Sequence, residues 1–217
     1  MKILFEISLL IISYLLGSIP TALIISKLFF RKDIRDYGSK NMGATNTLRV
    51  FGLPYAITVF LLDAMKASII IFLFTYGILS RDLIPHIHPI IFGFAAIIGH
   101  IFPIFAKFKG GKGVACMSGI LLVYSPICFL IEIVAFLLIL LFTKYVSAGS
   151  IISLLLVFIL SFFIPPVFQT TPDLFFSLFC GVIFIIIVID HWPNIIRLIN
   201  GTESQITKAI LSKKEKK

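Results

Sequence analysis

Residues 99–116 read GHIFPIFAKFKGGKGVAC, a short polar segment between two long apolar runs. Its core is the run GGKG at 110–113, which places a lysine among glycines. Because glycine adopts positive φ readily, this run predicts a loop whose backbone N–H groups turn toward an anion such as phosphate. The apolar run from Val114 onward predicts a helix whose N-terminus supports the same anion. The alternative is a plain cytoplasmic loop whose lysines only orient the chain in a membrane.

The apolar runs on both sides of this segment indicate the class of protein. The chain has 217 residues, of which 59% are hydrophobic. Several runs reach the length of about 20 residues that spans a bilayer. We therefore predict an all-α, polytopic integral membrane helix bundle that forms a single membrane domain over 1–217, with 212–217 as a disordered tail. The cysteines lack metal-ligand spacing and are predicted to be small core residues.

The placement of positive charge predicts the topology. The net charge is +9, and the basic residues concentrate in 27–54, in 99–116 and in the tail that follows Asp190. The loops at 80–88 and 165–173 carry little or no positive charge. Basic loops stay in the cytoplasm, so the tail is predicted inside and the N-terminus outside. Because a bilayer accounts for this charge bias, nucleic acid is not a predicted partner.

The apolar run 114–142 decides the number of spans. Ser125 and Pro126 fall near its middle, where proline breaks a helix. As one span, the run would leave the basic tail outside. As two short helices, each only about 21 Å long at 1.5 Å per residue, it gives seven transmembrane helices and a cytoplasmic tail. We favour the seven-helix arrangement because it places the basic tail inside.

The other predicted spans carry two notable features. Gly17, Ser18 and Pro20 predict a kink or a close approach near the inner end of the first span. Asp63 and Lys66 lie three residues apart in the second span, which predicts an ion pair on one helix face that holds the bundle together. The predicted spans outside 114–142 are 3–26, 55–79, 85–106, 151–164 and 174–190, with a third cytoplasmic loop at 143–150.

This topology gathers polar side chains on the cytoplasmic face. Arginine and lysine bind anions, histidine transfers protons, and neighbouring apolar helices accommodate an acyl chain. The pattern predicts a site for a ligand with both a phosphate and a lipid tail. Its candidate residues are Ser39, Asn41, Asn46 and Arg49, then His100 and Lys112, then Ser147 and Ser150, and then His191, Asn194 and Glu203.

Three motifs in this order resemble those of the bacterial acyl-phosphate:glycerol-3-phosphate acyltransferase family. They are GSKNMGATNTLRVFG at 38–52, the segment 99–116, and HWPNIIRLINGTE at 191–203. The resemblance implies transfer of an acyl group from acyl phosphate to the 1-hydroxyl of glycerol 3-phosphate, without metal, coenzyme A or carrier protein. It also implies an active site on the cytoplasmic face of the bacterial inner membrane, with the soluble enzyme that makes acyl phosphate as a candidate partner.

The site residues follow partly from this resemblance. It implies catalytic roles for Ser39, Arg49, Lys112, His191 and Asn194, a substrate contact for Ser150, and a structural role for Glu203. Residue chemistry adds further substrate-binding candidates, namely Asn41, Asn46, His100, Lys109, Gly110, Gly111 and Gly113. The sequence departs from the family pattern at Lys40, at Cys116 and at Trp192–Pro193, where the proline can change the tilt of His191.

Two other functions fit parts of the pattern. A transporter of a phosphorylated small molecule would share the basic glycine loop, but it would need polar residues along a path across the membrane. A structural scaffold explains none of the polar loops. The histidines also lack an aspartate five positions later, which argues against the acyltransferase class that uses acyl-CoA. We therefore favour the acyl-phosphate enzyme.

Overall fold

A computed structural model describes residues 1–206, and every regular element in that range is helical. The tail predicted to be disordered at 212–217 lies outside the described residues. Three short 3₁₀ turns lie at Ile34–Asp36, Arg81–Leu83 and Ile104–Ala106. The α-helices are α1 (Lys2–Gly17), α2 (Thr21–Phe30), α3 (Ala44–Val50), α4 (Leu53–Thr75), α5 (Ile90–Ile101), α6 (Val114–Tyr124), α7 (Pro126–Thr143), α8 (Val146–Leu160), α9 (Leu174–Asp190) and α10 (Trp192–Ile199).

The chain forms two compact units, Met1–Pro126 and Ile127–Lys217. In the first unit, α4 packs against α6 and α5, and α1 packs along α5. In the second, α8 packs against α9. The prediction of a single membrane domain stays a prediction.

Glycines allow the helices of the first unit to approach closely. A Cβ at Gly17 would overlap the backbone of Ala96 on α5, and a Cβ at Gly119 would overlap the backbone of Ala64 on α4. Such backbone contacts are typical of membrane helices, where small residues allow close packing. The sequence places these glycines where the two main helix pairs meet.

The predicted kink in the first span is confirmed. Helix α1 ends at Gly17 and α2 begins at Thr21, so the break falls at Ser18–Pro20. Proline cannot donate a backbone hydrogen bond, and this break leaves the Ile19 carbonyl available to a side chain. The break therefore places a backbone acceptor inside the bundle.

The predicted division of 114–142 into two helices is also confirmed, with α6 ending at Tyr124 and α7 beginning at Pro126. The predicted loop at 143–150 is wrong in its extent, because α8 already begins at Val146. The predicted loop at 27–54 likewise contains the helix α3. In both places residues that the polar composition had suggested were loop belong to a helix.

Three helical segments of the described chain are long and apolar enough to cross a membrane, and a fourth is added if α9 and α10, bent by 61°, count as one. The three are Lys2–Phe30, α4 and α7. Shorter apolar helices occur at Ile90–Ala106, α6 and α8. Apolar segments thus occur in each predicted span, while the number of crossings and the orientation remain predictions.

Candidate active site

The first polar loop is organised by the side chain of Asn46, which is 1% exposed. Its Oδ1 accepts the N–H of Ser39 at 2.8 Å. Its Nδ2 donates to the carbonyls of Tyr37 and Asn41 at 3.0 and 2.9 Å. Sequence analysis had predicted substrate binding for Asn46, but both ends of its amide bind backbone groups of the loop. The structure thus gives Asn46 the task of holding this loop on α3.

This anchoring presents the other candidates of the first motif. Ser39 is exposed, Asn41 is half-buried, and Arg49 lies half-buried in the last turn of α3. The backbone N–H of Ser39 donates to Asn46. This hydrogen bond fixes the backbone of Ser39 and does not fix its side chain. The hydroxyl and the guanidinium are thereby offered from one loop-and-helix element.

Arg35 forms an ion pair within the first polar loop and connects this loop to the segment 99–116. Arg35 Nη2 lies 2.6 Å from Asp33 Oδ2, and Nη1 donates to the Ala106 carbonyl at 3.4 Å. The hydrogen bonds from Arg35, opposed by partial burial, lower the pKa of Asp33 from 3.8 to about 2. The first polar loop and the segment 99–116 are therefore linked within the first unit.

The glycine loop packs on His100. The Gly111 N–H donates to the His100 carbonyl at 3.1 Å, a Cβ at Gly110 would overlap that carbonyl, and a Cβ at Gly111 would overlap the imidazole. The prediction that these N–H groups all turn toward an anion is wrong for Gly111, because its N–H is used internally. Of the loop glycines only Gly113 has positive φ, at 81°, and it forms the N-cap of α6.

Two lysines flank these glycines. Lys109 is exposed and Lys112 is half-buried. Because Gly113 caps α6, Lys112 lies immediately before the first turn of that helix. N–H groups of a first helical turn have no carbonyl partner within the helix, and the helix dipole favours an anion there. Lysine and helix terminus together favour a phosphate.

A buried polar cluster lies behind the glycine loop. Asp63 is 1% exposed, and its Oδ1 accepts from Thr21 Oγ1 at 2.6 Å and from Lys66 Nζ at 2.7 Å. His100 Nδ1 lies 3.5 Å from the same oxygen. Lys66 Nζ also donates to the Ile19 carbonyl at 2.7 Å. The predicted Asp63–Lys66 ion pair is confirmed, and it includes the break between α1 and α2.

A small pocket with a cavity volume of about 10 Å³, room for about one water molecule, adjoins this cluster. Its polar lining comes from Thr21, Lys66, His100 and Gly111, and its apolar lining includes Met42. Sites for drug-sized ligands occupy roughly 300–1,000 Å³, so this pocket by itself is too small for a lipid substrate. His100 and Gly111 of the glycine loop both line this pocket.

In the second unit, polar side chains converge on Glu203. Its Oε1 accepts from Ser147 Oγ at 2.9 Å and from Asn194 Nδ2 at 2.7 Å, and its Oε2 accepts from Arg197 Nε at 2.7 Å. Burial raises the pKa of Glu203, but the bonds from Asn194, Arg197 and Ser147 outweigh it and lower the pKa overall. This geometry supports the structural role predicted for Glu203.

His191 is oriented by its own helix. Its Nδ1 lies 2.8 Å from the Ile187 carbonyl oxygen, and its side chain is buried. A carbonyl only accepts hydrogen bonds, so Nδ1 carries the proton and Nε2 is the basic nitrogen of the neutral ring. Ser150 is buried in α8 and donates to the Val146 carbonyl at 3.1 Å, one turn earlier. Its hydroxyl thus bonds within α8, although sequence analysis had predicted a substrate contact in a loop.

Sequence reasoning missed two members of these clusters. Thr21 is a ligand of Asp63 across 42 residues, and no local pattern identifies that partner. Ser147, which sequence analysis placed in the polar set without a role, is a ligand of Glu203. A useful signal was the presence of Asp63 and Lys66 in an apolar span, since charged groups there need partners.

Known proteins resemble this chain over almost its whole length. A profile of the glycerol-3-phosphate acyltransferase family matches residues 7–201. The glycerol-3-phosphate acyltransferase of Enterococcus faecalis is 42% identical over 213 residues, covering 96% of this chain and 95% of that protein. Glycerol-3-phosphate acyltransferase 2 of Bacillus anthracis is 45% identical over 197 residues, covering 91% and 97%.

Solved structures give the same result. The crystal structure of PlsY (YgiH), an integral membrane glycerol 3-phosphate acyltransferase, in its glycerol 3-phosphate form has a TM-score of 0.77 and 36% identity, covering 92% of this chain and 94% of that chain. The lysophosphatidic acid form has a TM-score of 0.76 and 33% identity, covering 94% and 98%. Fold and sequence therefore define an integral membrane acyltransferase. More particularly, the chain belongs to the glycerol-3-phosphate acyltransferase family.

Proposed function

We propose that this protein transfers an acyl group from acyl phosphate to the 1-hydroxyl of sn-glycerol 3-phosphate, giving lysophosphatidic acid and inorganic phosphate. The proposal is carried by the basic glycine loop that leads directly into α6, which offers a lysine and first-turn N–H groups to a phosphate. The PlsY structures with glycerol 3-phosphate and lysophosphatidic acid support the acceptor and the product. The three sequence motifs support acyl phosphate as donor.

The chemistry requires little beyond positioning and charge neutralisation, because an acyl phosphate is already activated. The acceptor hydroxyl oxygen attacks the acyl carbonyl carbon, a new ester bond forms, and the bond to the leaving phosphate breaks. We assign phosphate binding to Arg49, Lys112 and the N-terminus of α6. Ser39 of the exposed first loop is the proposed hydroxyl contact.

The proton of the attacking hydroxyl passes to a base, for which the chain offers His191. Its ring is held by the Ile187 carbonyl with Nε2 as the basic nitrogen. Asn194, anchored on Glu203, is assigned to orient the hydroxyl. A phosphate oxygen of the substrate is the alternative base. A His191→Gln variant that keeps both the rate and the pH profile of the parent would exclude the histidine.

The basic loops support a location in the bacterial inner membrane with the catalytic groups on the cytoplasmic side. A single-cysteine map tests this orientation, because residues 125 and 204 lie on opposite predicted faces. Ser125 is buried and unsuited to labelling, whereas Ser204→Cys, at an exposed position in a protein without Cys116, Cys128 and Cys180, should label from inside. Labelling of residue 204 from outside would contradict the proposed orientation.

The donor is tested by phosphate release from palmitoyl phosphate with purified protein, with and without glycerol 3-phosphate. Release should depend on glycerol 3-phosphate and should yield lysophosphatidic acid. Palmitoyl-CoA and palmitoyl-acyl carrier protein are assayed as alternative donors. Acyl transfer from one of these, with none from palmitoyl phosphate, would overturn the donor assignment while leaving family membership intact.

The role of the loop is tested by a matched pair of charge removals. Lys112→Gln should slow the reaction by ~10²–10³-fold, the range for one lost electrostatic contact to a reacting group. Lys107→Gln, on an exposed residue of the same segment, should leave the rate within about twofold. Equal losses in both variants would mean that the segment acts only through its overall charge.

A further inference from the structure

The buried cluster around Asp63 has no place in the proposed chemistry. An ion pair between Asp63 and Lys66, with side chains only 1% and 7% exposed, is costly to bury in an apolar bundle. Structural ion pairs of this kind stabilise little relative to apolar residues of similar shape. The cluster therefore invites a functional explanation, and its position behind the glycine loop supplies one.

We propose that Asp63 is a positioning residue for the phosphate site. Through the imidazole of His100, against which Gly111 packs, it fixes the backbone of Gly111, and thereby the placement of Lys112 and of the first turn of α6. The inference rests on the proposed function in so far as Lys112 binds phosphate there. His100 is then a support for the loop rather than a group that touches substrate.

The first step of the argument is the contact between His100 and the loop. The His100 carbonyl accepts the Gly111 N–H at 3.1 Å, and both glycines lie so close to His100 that a Cβ would overlap it. The loop backbone therefore rests on the histidine without room for a side chain. Any displacement of His100 moves the residues that directly precede Lys112.

The second step is the contact between His100 and Asp63. The ring Nδ1 lies 3.5 Å from Asp63 Oδ1, the ring also interacts with the Cys116 side chain on α6, and the histidine is 6% exposed, so the ring is held among a carboxylate, a thiol and the loop. Asp63 is itself held by Thr21 and Lys66 through that same oxygen. Three elements, α2, α4 and α5, thus converge on the oxygen that faces the histidine.

The third step concerns the other carboxylate oxygen. Asp63 Oδ2 is buried and has no hydrogen-bond partner among the described residues. A carboxylate placed only for stability would gain from donors on both oxygens. Here all donors bind the oxygen on the side of His100, which is the arrangement expected of a group that orients the ring.

The first unit contains a matched control. Glu6 is also a buried carboxylate beside a histidine, with Oε1 accepting the His86 N–H at 2.9 Å and Oε2 lying 3.2 Å from His86 Nδ1. This pair holds α1 to the segment before α5 and does not contact the glycine loop. Asp63→Asn and Glu6→Gln therefore each remove the charge of a buried carboxylate beside a histidine, with and without the loop, although His86 is 60% exposed and His100 only 6%.

The functional test measures kcat and KM for glycerol 3-phosphate with palmitoyl phosphate as donor. Asp63→Asn should raise KM or lower kcat/KM by ~10- to 100-fold, as expected when a binding group is displaced by about 1 Å. Glu6→Gln should change kcat/KM by less than about threefold, even where it lowers thermal stability. Equal losses in both variants would overturn the inference, because the loss would then reflect general destabilisation.

A double-mutant cycle separates positioning from an independent effect. In a Lys112→Ala background Asp63→Asn should add less than about twofold, because the group being positioned has been removed. Full additivity of the two losses would overturn the inference. If Asp63→Asn does not fold, Thr21→Val removes one donor from the same oxygen and should shift KM in the same direction by a smaller factor.

A readout independent of activity distinguishes this inference from the proposed function. Protein labelled with ¹⁵N-glycine contains 14 labelled glycines, and Asp63→Asn should shift the amide signals of Gly110 and Gly111 while Glu6→Gln leaves them in place. Unmoved signals would refute the positioning role. Shifted signals in a protein inactive toward palmitoyl phosphate would instead count against the proposed donor alone.

Discussion

Two buried carboxylates, Asp63 in α4 and Glu203 after α10, are satisfied in different ways. Glu203 has donors on both oxygens, from Ser147, Asn194 and Arg197. Asp63 has its donors on one oxygen, and the other is buried without a partner among residues 1–206. A carboxylate with hydrogen-bond donors on both oxygens holds several chain segments together. A carboxylate with donors on only one oxygen orients the groups that lie on that side.

The partners differ as well. Arg197, the cation beside Glu203, is 41% exposed and can reach water if its partner is removed. Lys66, beside Asp63, is 7% exposed and cannot do so without moving. Removal of Asp63 therefore leaves the charge of Lys66 buried without a carboxylate, whereas removal of Glu203 lets Arg197 turn to water. This difference ranks the effects of the following substitutions.

Asp63→Ala should give the largest loss of stability, about 3–5 kcal/mol, because it leaves the Lys66 ammonium buried without its carboxylate. Thermal denaturation of the purified protein in detergent measures the effect as a lower Tm. Adding Lys66→Met should recover part of the loss, since the stranded charge is then removed as well. A double variant less stable than Asp63→Ala would contradict this explanation.

Glu203→Ala should cost less, about 2–3 kcal/mol, because Asn194 and Ser147 lose their acceptor while Arg197 turns to water. The same denaturation measurement applies, with Glu203→Gln as the isosteric control. Glutamine keeps one acceptor oxygen, so it should lie between the parent and the alanine variant. A loss as large as that of Asp63→Ala would mean that exposure of the cation does not matter.

The Glu203 interaction also predicts a pH dependence. Its pKa is lower in the folded protein than in the unfolded chain, despite burial, because Asn194, Arg197 and Ser147 stabilise the carboxylate. The stabilisation is therefore complete above the unfolded pKa of about 4.3 and is lost as pH falls through the lower folded pKa. The Tm difference between parent and Glu203→Gln should shrink below about pH 4, and a constant difference would refute the assignment.

Gly111→Ala tests how tightly the loop is bound to the Asp63 cluster. The new Cβ would overlap the His100 imidazole, and overpacking of this kind costs about 1–3 kcal/mol. The rate of acyl transfer should fall by more than the loss of folded protein explains, because the displaced segment includes Lys112. Gly93→Ala on α5 is the control, since its Cβ would overlap the side chains of Ile71 and Ile120 instead of a candidate site residue. Equal activity of the two variants would show that the close contact is unimportant.

The smallest effect is expected at the Asp33–Arg35 pair, whose side chains are 22% and 28% exposed. Asp33→Asn should cost at most about 1 kcal/mol at neutral pH, as partly exposed ion pairs do. The hydrogen bonds from Arg35 hold the pKa of Asp33 at about 2, against 3.8 ordinarily. The contribution should therefore persist down to about pH 4 and disappear toward pH 2 in Tm measurements.

Part of this arrangement could be predicted from the sequence. The helix breaks near Pro20 and Pro126 follow from the geometry of proline, and the Asp63–Lys66 pair follows from helical spacing in an apolar run. These are local relations, and the structure confirms each one. The substrate contacts predicted for Asn46 and Ser150 stay predictions, and what the sequence did not predict is that the side chains of both bind backbone groups of their own segments.

The amino-acid sequence by itself determined the class of protein, the positions of its apolar helices and the order of its three polar motifs, since these depend on composition and local spacing. Only the tertiary structure decided which polar groups meet. Thr21 reaches Asp63 across 42 residues and Ser147 reaches Glu203 across 56. A buried charge must find a partner wherever the packed helices provide one, and that choice depends on helix packing that no local pattern encodes.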